Sequence, residues 1–502
     1  MWTGKAAHNT NVTDLRPPYG GYPKFIDQGF NEKYLPVWLQ AAGYNTYYVG
    51  KLFNAHSIWN YDNPCPMGWT GSEFLLDPYT YEYWNATMQR NRDPPRSYEG
   101  QYSTDVIAEK TYGFLHDALQ SERPFFLTIA PTAPHSNVKN GTQSPPRPAD
   151  RHKHLFPEAK VPRTPSFNPD TPSGVSWISR LPIQSEGNVE YNDEWYRNRL
   201  RTLQAVDEMI DTLVKKLDDA GALESTYIFF STDNGYSIGQ HRRQPGKQCA
   251  FEDDINIPLI VRGPGVPKNH VSDVVTSHTD IAPTILEIAG VDVATQARYE
   301  LDGAPIPLHS SLVTPEWKQE HVNVEMWGII LSEGKYGFDL YHNHTYKAVR
   351  VIGEGYSFLY TVWCSGEHEL YDMINDPWQM KNIYGNEDDE HYLFNVADDS
   401  QSSNLRNIVV TRGALKVRLD ALLLVLKSCQ QEECRSPWRA LHPMGGVWNL
   451  KDALHVQYDD MYACMPRVEY DKCERGYIPG SEGAMWDGSF AFSMKHEVWD
   501  EL

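Results

Sequence analysis

Short apolar runs, bounded by polar or glycine-containing segments, recur through the first 300 residues. Four of them have the length and continuous hydrophobicity of buried strands: residues 44–49, 124–129, 226–231 and 257–261. A different period is found at Leu203, Val206, Ile210, Leu213 and Leu217, where steps of three and four residues predict one apolar face of a helix. Shorter helices are predicted at 35–43 and at 281–289, each of which ends at a glycine.

Helices that alternate with continuously apolar strands indicate an α/β fold, with a mainly parallel central sheet between layers of helices. Residues 136–182 are polar and rich in proline, and they form either a substrate-facing loop or a disordered insert. Beyond residue 315, aromatic residues in shorter alternating runs predict a small antiparallel sheet, with a helix near 415–427 packed on it. We therefore expect two units, residues 1–315 and a smaller C-terminal α+β subdomain at 316–502.

Polar residues lie next to the predicted strands, at the edge where open parallel sheets bind their ligands. Lys51 follows the first strand, His135 follows the second, and Asp233 with Asn234 follows the third, while Lys247 precedes the fourth. Carboxylate and amide oxygens are ligands for calcium or magnesium, although Asn-Gly is also a common hairpin turn. Histidine and lysine in such loops suit an anionic substrate, but single residues of this kind are often only solvated.

Composition excludes several partners. The formal net charge of −21 repels polyanions, so we expect no nucleic acid partner and a local group of cations for any anionic substrate. No apolar run approaches the ~20 residues of a membrane-spanning helix, so we expect no membrane insertion.

Cysteines and glycosylation sequons favour a secreted origin. We expect disulfides Cys429–Cys434 and Cys464–Cys473, with four buried thiols as the alternative. The Asn-x-Ser/Thr sequons are at Asn11, Asn85, Asn140 and Asn343. The first residues lack the apolar core of a signal peptide, so we expect passage through the secretory pathway for the full-length form only.

Several segments occur in an order that matches one family. Residues 43–51 (GYNTYYVGK) resemble a Gly-Tyr-x-Thr…Gly-Lys signature, residues 133–135 (APH) a Pro-His motif, and residues 231–247 a metal and sulfate-lysine segment. Residues 369–372 (ELYD) resemble a C-terminal signature. These are the signatures of the formylglycine-dependent sulfatases of the alkaline phosphatase superfamily. Phe53 and Asn54, after the first lysine, are most similar to fungal arylsulfatases and glucosamine-6-sulfatases.

The resemblance implies an alkaline-phosphatase-like fold and hydrolysis of a small-molecule sulfate ester. An aryl sulfate is the first expectation, and the 6-sulfate of N-acetylglucosamine is the alternative. A phosphodiesterase of the same superfamily is a third possibility from another reaction class. The implied roles are catalysis by His135, Lys247 and Lys51, sulfate binding by Lys51, Lys247 and His241, and calcium or magnesium binding by Asp233 and Asn234.

The family's nucleophile is a formylglycine made from the cysteine of a Cys-x-(Pro or Ala)-Ser-Arg motif, just before a Thr-Gly-(Arg or Lys) segment. Thr3-Gly4-Lys5 resembles that segment, and the first cysteine of the chain is Cys65. We therefore expect these 502 residues to lack the nucleophile and the first-strand aspartates, and to show no sulfatase turnover. Two interpretations stay open: an incomplete gene model of a working secreted sulfatase, or a non-catalytic remnant.

Overall fold

The computed structural model describes residues 1–309, 319–337, 340–385, 391–396 and 406–488. Its strands are β1 (Asn45–Gly50), β2 (Gly71–Leu75), β3 (Thr87–Arg90), β4 (Arg96–Ser97), β5 (Phe125–Ala130), β6 (Asn137–Lys139), β7 (Thr142–Ser144), β8 (Ile228–Ser231), β9 (Leu259–Arg262), β10 (His321–Met326), β11 (Ile330–Leu331), β12 (Leu340–Tyr341), β13 (Tyr346–Gly353), β14 (Tyr356–Trp363), β15 (His368–Asp372), β16 (His391–Val396) and β17 (Arg406–Thr411). Its α-helices are α1 (Ala7–Thr10), α2 (Gly21–Asp27), α3 (Leu35–Ala41), α4 (Ser103–Leu119), α5 (Glu186–Asp219), α6 (Glu252–Ile255), α7 (Ile281–Ile288), α8 (Val293–Gln296), α9 (Arg412–Leu426), α10 (Glu432–Arg435), α11 (Pro437–Leu441), α12 (Leu450–Ala453) and α13 (Asp459–Cys464).

The largest sheet confirms the predicted α/β class. Its strand order is β4-β3-β2-β1-β5, and β1 runs parallel to both β2 and β5. β3 and β4 extend the β2 edge in antiparallel fashion. Helix α4 packs on β1 and β5, and α5 packs on α4, so the long amphipathic helix predicted around Leu203–Leu217 lies in the layer next to this sheet.

The third and fourth predicted strands do not join that sheet. They form β8 and β9, an antiparallel pair of their own. A parallel pair needs a crossover that carries the chain back along the sheet, usually a helix. The connection from β8 to β9 contains only the four-residue helix α6, and most of it forms the loops of the candidate site.

The predicted C-terminal antiparallel sheet is confirmed as β10-β13-β14-β15. The predicted helix at 415–427 is α9, whose residues Leu419 and Ala421–Leu426 are all buried in a core that β13 and β14 complete. The proposed division at residue 315 falls within 310–318, outside the described residues. No helix in the described ranges combines the length and the hydropathy needed to span a bilayer.

One of the two predicted disulfides is confirmed. Cys429 is bonded to Cys434, but Cys473 is bonded to Cys364 rather than to Cys464, which is an exposed free thiol. Hydrogen bonds bring these distant segments together, because the Thr345 hydroxyl donates to Glu474 O at 2.6 Å and the Cys364 N–H donates to Thr345 O at 2.9 Å. The second disulfide, which was predicted from closeness in the sequence, is therefore wrong.

Residues 136–182 are described throughout, so the alternative of a disordered insert is wrong. They contain the short β6–β7 hairpin and two 3₁₀ turns. Trp177 and Ile178 are buried in a cluster with residues of β13, β14 and β15. The segment is an ordered loop that connects the central region with the C-terminal sheet.

Candidate active site

Lys51 is held at the end of β1 by a close approach of two strands. Gly50 has a φ of 118°, and a Cβ added there would come within 2.1 Å of Ala130 O. Only glycine fits this position. The Lys51 N–H donates to Ala130 O at 3.0 Å, which places the lysine beside the end of β5 and the loop that follows it.

His135 lies in that loop with its tautomer fixed. Its Nδ1–H donates to Ser136 O at 2.9 Å, because a nitrogen that faces a carbonyl must carry the proton. The Tyr83 hydroxyl donates to His135 O at 2.8 Å and holds the backbone. The ring of Tyr81 lies 4.3 Å from the imidazole and 5.0 Å from the Lys51 ammonium, so it contacts both predicted residues. Nε2 of the neutral imidazole is left as a hydrogen-bond acceptor.

Asp233 and Asn234 follow β8 in a loop with its own hydrogen bonds. His278 Nε2–H donates to Thr232 O at 2.9 Å, and the Gly235 N–H donates to Asp254 O at 2.8 Å. Because β8 pairs with β9, whose first residue is Leu259, the alternative of a tight Asn-Gly hairpin is wrong.

Lys247 is placed by a second constrained glycine. Gly246 has a φ of 156°, and its N–H and C=O both bond to Ser237, at 3.1 and 2.7 Å. A buried ion pair anchors this loop. Both terminal nitrogens of Arg243 donate to the Asp254 carboxylate, at 2.8 and 3.1 Å.

The charges of these side chains act on one another. Burial, together with the charges of Lys247, Lys51 and Arg199, lowers the pKa of His135 to about 3. Burial also lowers the pKa of Lys51 and of Lys247, while Asp233 raises both. The structure thus brings Lys51, His135, Lys247 and Asp233 into one site, and their catalytic roles stay predictions.

The donor set fits part of a site for a hard divalent cation. Asp233 is exposed, and within the described ranges its carboxylate has no hydrogen bond or ion pair. The Asn234 side-chain nitrogen donates to Gly235 O at 2.6 Å, so its oxygen points away from that bond and is available as a ligand. Calcium takes six to eight oxygen ligands, so Asp233 and Asn234 supply part of a shell.

His241 has different surroundings. It is 2% exposed, its Nδ1 lies 2.7 Å from the Ser173 hydroxyl, and its ring stacks on Phe251 at 3.8 Å. Burial lowers its pKa well below the usual value, and the charge that adds to this effect is that of Arg243, not of either lysine. Its sulfate-binding role stays a prediction, and these contacts give it a packing role.

Sequence reasoning missed Arg199 and Glu333. Arg199 precedes Leu203 by four residues, so it lies on the same face of the helix as the predicted apolar residues. A charged residue on that apolar face was the available signal. Glu333 comes from the C-terminal part of the chain, is 6% exposed, and acts electrostatically on both Lys247 and Arg199. Nothing in its local sequence marks it.

A cavity of about 1400 Å³ adjoins the site. Asp233, Asn234 and Lys247 lie in its wall, together with residues of β9 and β10 and the first residues of the chain.

The chain matches two family models and several known proteins. Residues 1–291 match a family model described as Sulfatase, and residues 239–402 match one described as N-sulphoglucosamine sulphohydrolase, C-terminal. An arylsulfatase of Volvox carteri is 38% identical in an alignment of 503 positions, which covers 94% of this chain and 73% of that protein. An N-acetylglucosamine-6-sulfatase of Bos taurus is 28% identical over 467 residues, which cover 87% of this chain and 75% of that protein.

Among solved structures, one of a protein in complex with its substrate D-glucosamine-2-N,6-O-disulfate has a TM-score of 0.61 at 22% identity. The match covers 76% of this chain and 82% of that chain, and it shows a shared fold.

Proposed function

The chain belongs to the sulfatase family, whose members hydrolyse sulfuric esters, and from this we propose that its site is that of an aryl sulfate hydrolase. We propose further that the 502 residues, which contain no nucleophile motif, bind the ester without turnover. The observation that carries the proposal is the convergence of Lys51, His135 and Lys247 around Asp233 at the strand ends. In a chain with a net charge of −21, such a group of cations is a local exception that suits an anionic substrate.

Lys51 and Lys247 would bind the sulfate group. Both ammonium groups are desolvated, and their charges act on each other, so each is stabilised by an anion placed between them. Negative charge that develops on the ester in the transition state would be stabilised by the same fixed cations.

His135 would serve the leaving oxygen. At neutral pH its imidazole is uncharged in the free site, because burial and three cations hold its pKa near 3. A bound sulfate ester offsets those cations and raises this pKa, so the substrate itself favours the protonated form that can donate to the leaving group. Lys247, whose pKa is lowered by burial, is a second proton donor in the same place.

Asp233 and Asn234 would hold a divalent cation, with calcium the first candidate and magnesium the second. When bound, such an ion polarises the oxygens of the sulfate group. Formylglycine does not fit the residues present, because no Cys-x-(Pro or Ala)-Ser-Arg sequence occurs in the 502 residues. The free thiols are Cys65, Cys249 and Cys464, and burial raises the pKa of Cys249 to about 12. We derive no attack step from this chain.

Anion binding tests the proposal apart from turnover. Titration calorimetry of the 502-residue chain, with calcium present, should show saturable binding of sulfate and of 4-nitrophenyl sulfate. Lys51→Met and Lys247→Met should each weaken binding about tenfold or more, because each removes a charge-assisted bond. Lys215→Met, at an exposed lysine of α5, is the matched control. Equal affinities for all four proteins would refute the site.

The substrate class is tested by competition. The aryl sulfate expectation follows the Volvox carteri relative, and the sugar alternative follows the Bos taurus relative and the complex with a sulfated glucosamine. If glucosamine-6-sulfate displaces 4-nitrophenyl sulfate at a lower concentration than an unrelated aryl sulfate does, the result favours the sugar sulfate as substrate. A phosphate diester in the same assay tests the phosphodiesterase alternative, which is favoured if the diester displaces 4-nitrophenyl sulfate at the lowest concentration.

We also propose that the protein passes through the secretory pathway. Two disulfides and the exposed sequons at Asn140 and Asn343 support this. Asn140 lies between β6 and β7 at the tip of a hairpin, and it is exposed. Protein from a eukaryotic host should lose mass on treatment with an N-glycanase, and Asn140→Gln should remove part of that loss.

A further inference from the structure

Helix α5 places a guanidinium group beside the loop that carries His135. The Arg199 guanidinium lies over the ring of Tyr236 at 4.0 Å, and its NH1 donates to Pro134 O at 3.0 Å. Because Pro134 immediately precedes His135, this cation is fixed against the loop that carries the imidazole.

Through its hydroxyl group, Tyr236 is also connected to the loop that carries Lys247. The Tyr236 hydroxyl donates to Glu333 Oε2 at 2.6 Å, and the Glu333 N–H donates to Pro245 O at 2.9 Å. Pro245 lies two residues before Lys247. Contacts therefore run from the His135 loop through Arg199, Tyr236 and Glu333 to the Lys247 loop, and they set the spacing of the two loops.

Among the residues that the structure describes, Arg199 differs from the neighbouring arginines of the same helix in forming no ion pair with a carboxylate. Arg197 and Arg201 both form ion pairs with Glu194, at 2.8 and 3.0 Å. Over the ranges that the structure describes, Arg199 has no carboxylate oxygen within 4.0 Å, although its positive charge acts on both His135 and Lys247. A desolvated cation beside other cations is unfavourable unless an anion joins them.

We propose that Arg199 is a third cation of the sulfate-binding site, held over Tyr236 and Glu333, and that it binds the same sulfate group as Lys51 and Lys247. The inference rests on the proposed function and extends it by one binding residue. A guanidinium group offers several N–H donors in a fixed plane, which suits an oxyanion with several acceptor oxygens. A purely structural arginine would instead tie α5 to the His135 loop and leave anion affinity unchanged.

The test is titration calorimetry with two anions of different charge, sulfate and methyl sulfate. Arg199→Met should weaken sulfate binding about 10- to 100-fold, as expected for a charge-assisted bond. Methyl sulfate, a monoanion, should lose a smaller factor, because Coulomb attraction scales with ligand charge. Arg199→Lys keeps the charge and should restore most of the sulfate affinity. Arg197→Met is the matched control on the same helix, and thermal melting of each variant monitors folding.

The outcomes separate the two proposals. If the unaltered chain binds no sulfate, both this inference and the proposed function are overturned. If Lys247→Met weakens binding but Arg199→Met does not, this inference alone fails. It also fails if Arg199→Met weakens both anions by the same factor together with a lowered melting temperature, because that result indicates a structural role.

Discussion

His135 shows how strongly single charges act at the residue scale. Lys247 is the charged neighbour that most lowers its pKa, which stands at about 3 instead of 6.5. Replacing Lys247 by Met should therefore raise the pKa of His135, and replacing the exposed Lys215 should not. NMR titration of the imidazole measures both variants, and an unchanged pKa in Lys247→Met would contradict the proposed proximity.

The same depressed pKa has a consequence for stability. The folded chain keeps His135 neutral below pH 6.5, where the unfolded chain binds the proton, so its contribution to stability is lost as pH falls from about 6.5 towards 3.

Arg243 and Asp254 form the buried ion pair beneath the Lys247 loop, with exposed side-chain fractions of 4% and 2%. Arg243→Ala leaves Asp254 buried without its partner and should cost about 3–5 kcal/mol in the free energy of unfolding. Arg262→Ala, which breaks an exposed pair with Glu224, should cost at most about 1 kcal/mol. Urea denaturation measures the two variants, and similar losses would mean that the buried pair does not anchor the loop.

At the scale of elements, α9 is buried without a break from Arg418 to Leu426. Leu422 is fully buried between this helix and the β13–β14 core. Leu422→Ala should destabilise the protein by about 2–5 kcal/mol, because it removes apolar contacts and leaves a cavity. Leu15→Ala, at an exposed leucine, should change stability by less than about 0.5 kcal/mol. Equal melting temperatures for the two would show that α9 is not part of the cooperative core.

Element type was predictable where a local pattern determines it. Continuous apolar runs located β1, β5, β8 and β9, and the 3.6-residue period located α5, although the helix begins at Glu186, well before the apolar stripe. Strand pairing was less predictable, because the partner of β8 depends on the length and content of the loop that follows it. Residues 136–182 have little periodicity, and their order comes from contacts with distant strands.

The candidate site divides in the same way. Glycine beside lysine, and polar residues at strand ends, identified Lys51, His135, Asp233 and Lys247. Glu333 reaches them from a segment almost a hundred residues after Tyr236, and only the tertiary fold brings it there.

At the scale of the whole molecule, the Cys364–Cys473 bond closes a sequence separation of 109 residues. A Cys364→Ser, Cys473→Ser double variant should lose about 2–5 kcal/mol of stability, because the unfolded chain gains freedom when so long a loop is opened. The Cys429–Cys434 bond spans five residues, and its removal should cost less. Melting temperatures of the two double variants provide the comparison, and the reverse ranking would contradict the loop argument.

The three cations around His135 also affect how a reaction would end. Hydrolysis converts the monoanionic ester and water into a neutral phenol, a sulfate dianion and a proton. The sulfate dianion is attracted to Lys51, Lys247 and Arg199 more strongly than the monoanionic ester was. Product sulfate should therefore leave slowly and inhibit, and inorganic phosphate in a storage buffer should act in the same way. The arrangement that captures the substrate also sets a limit on turnover.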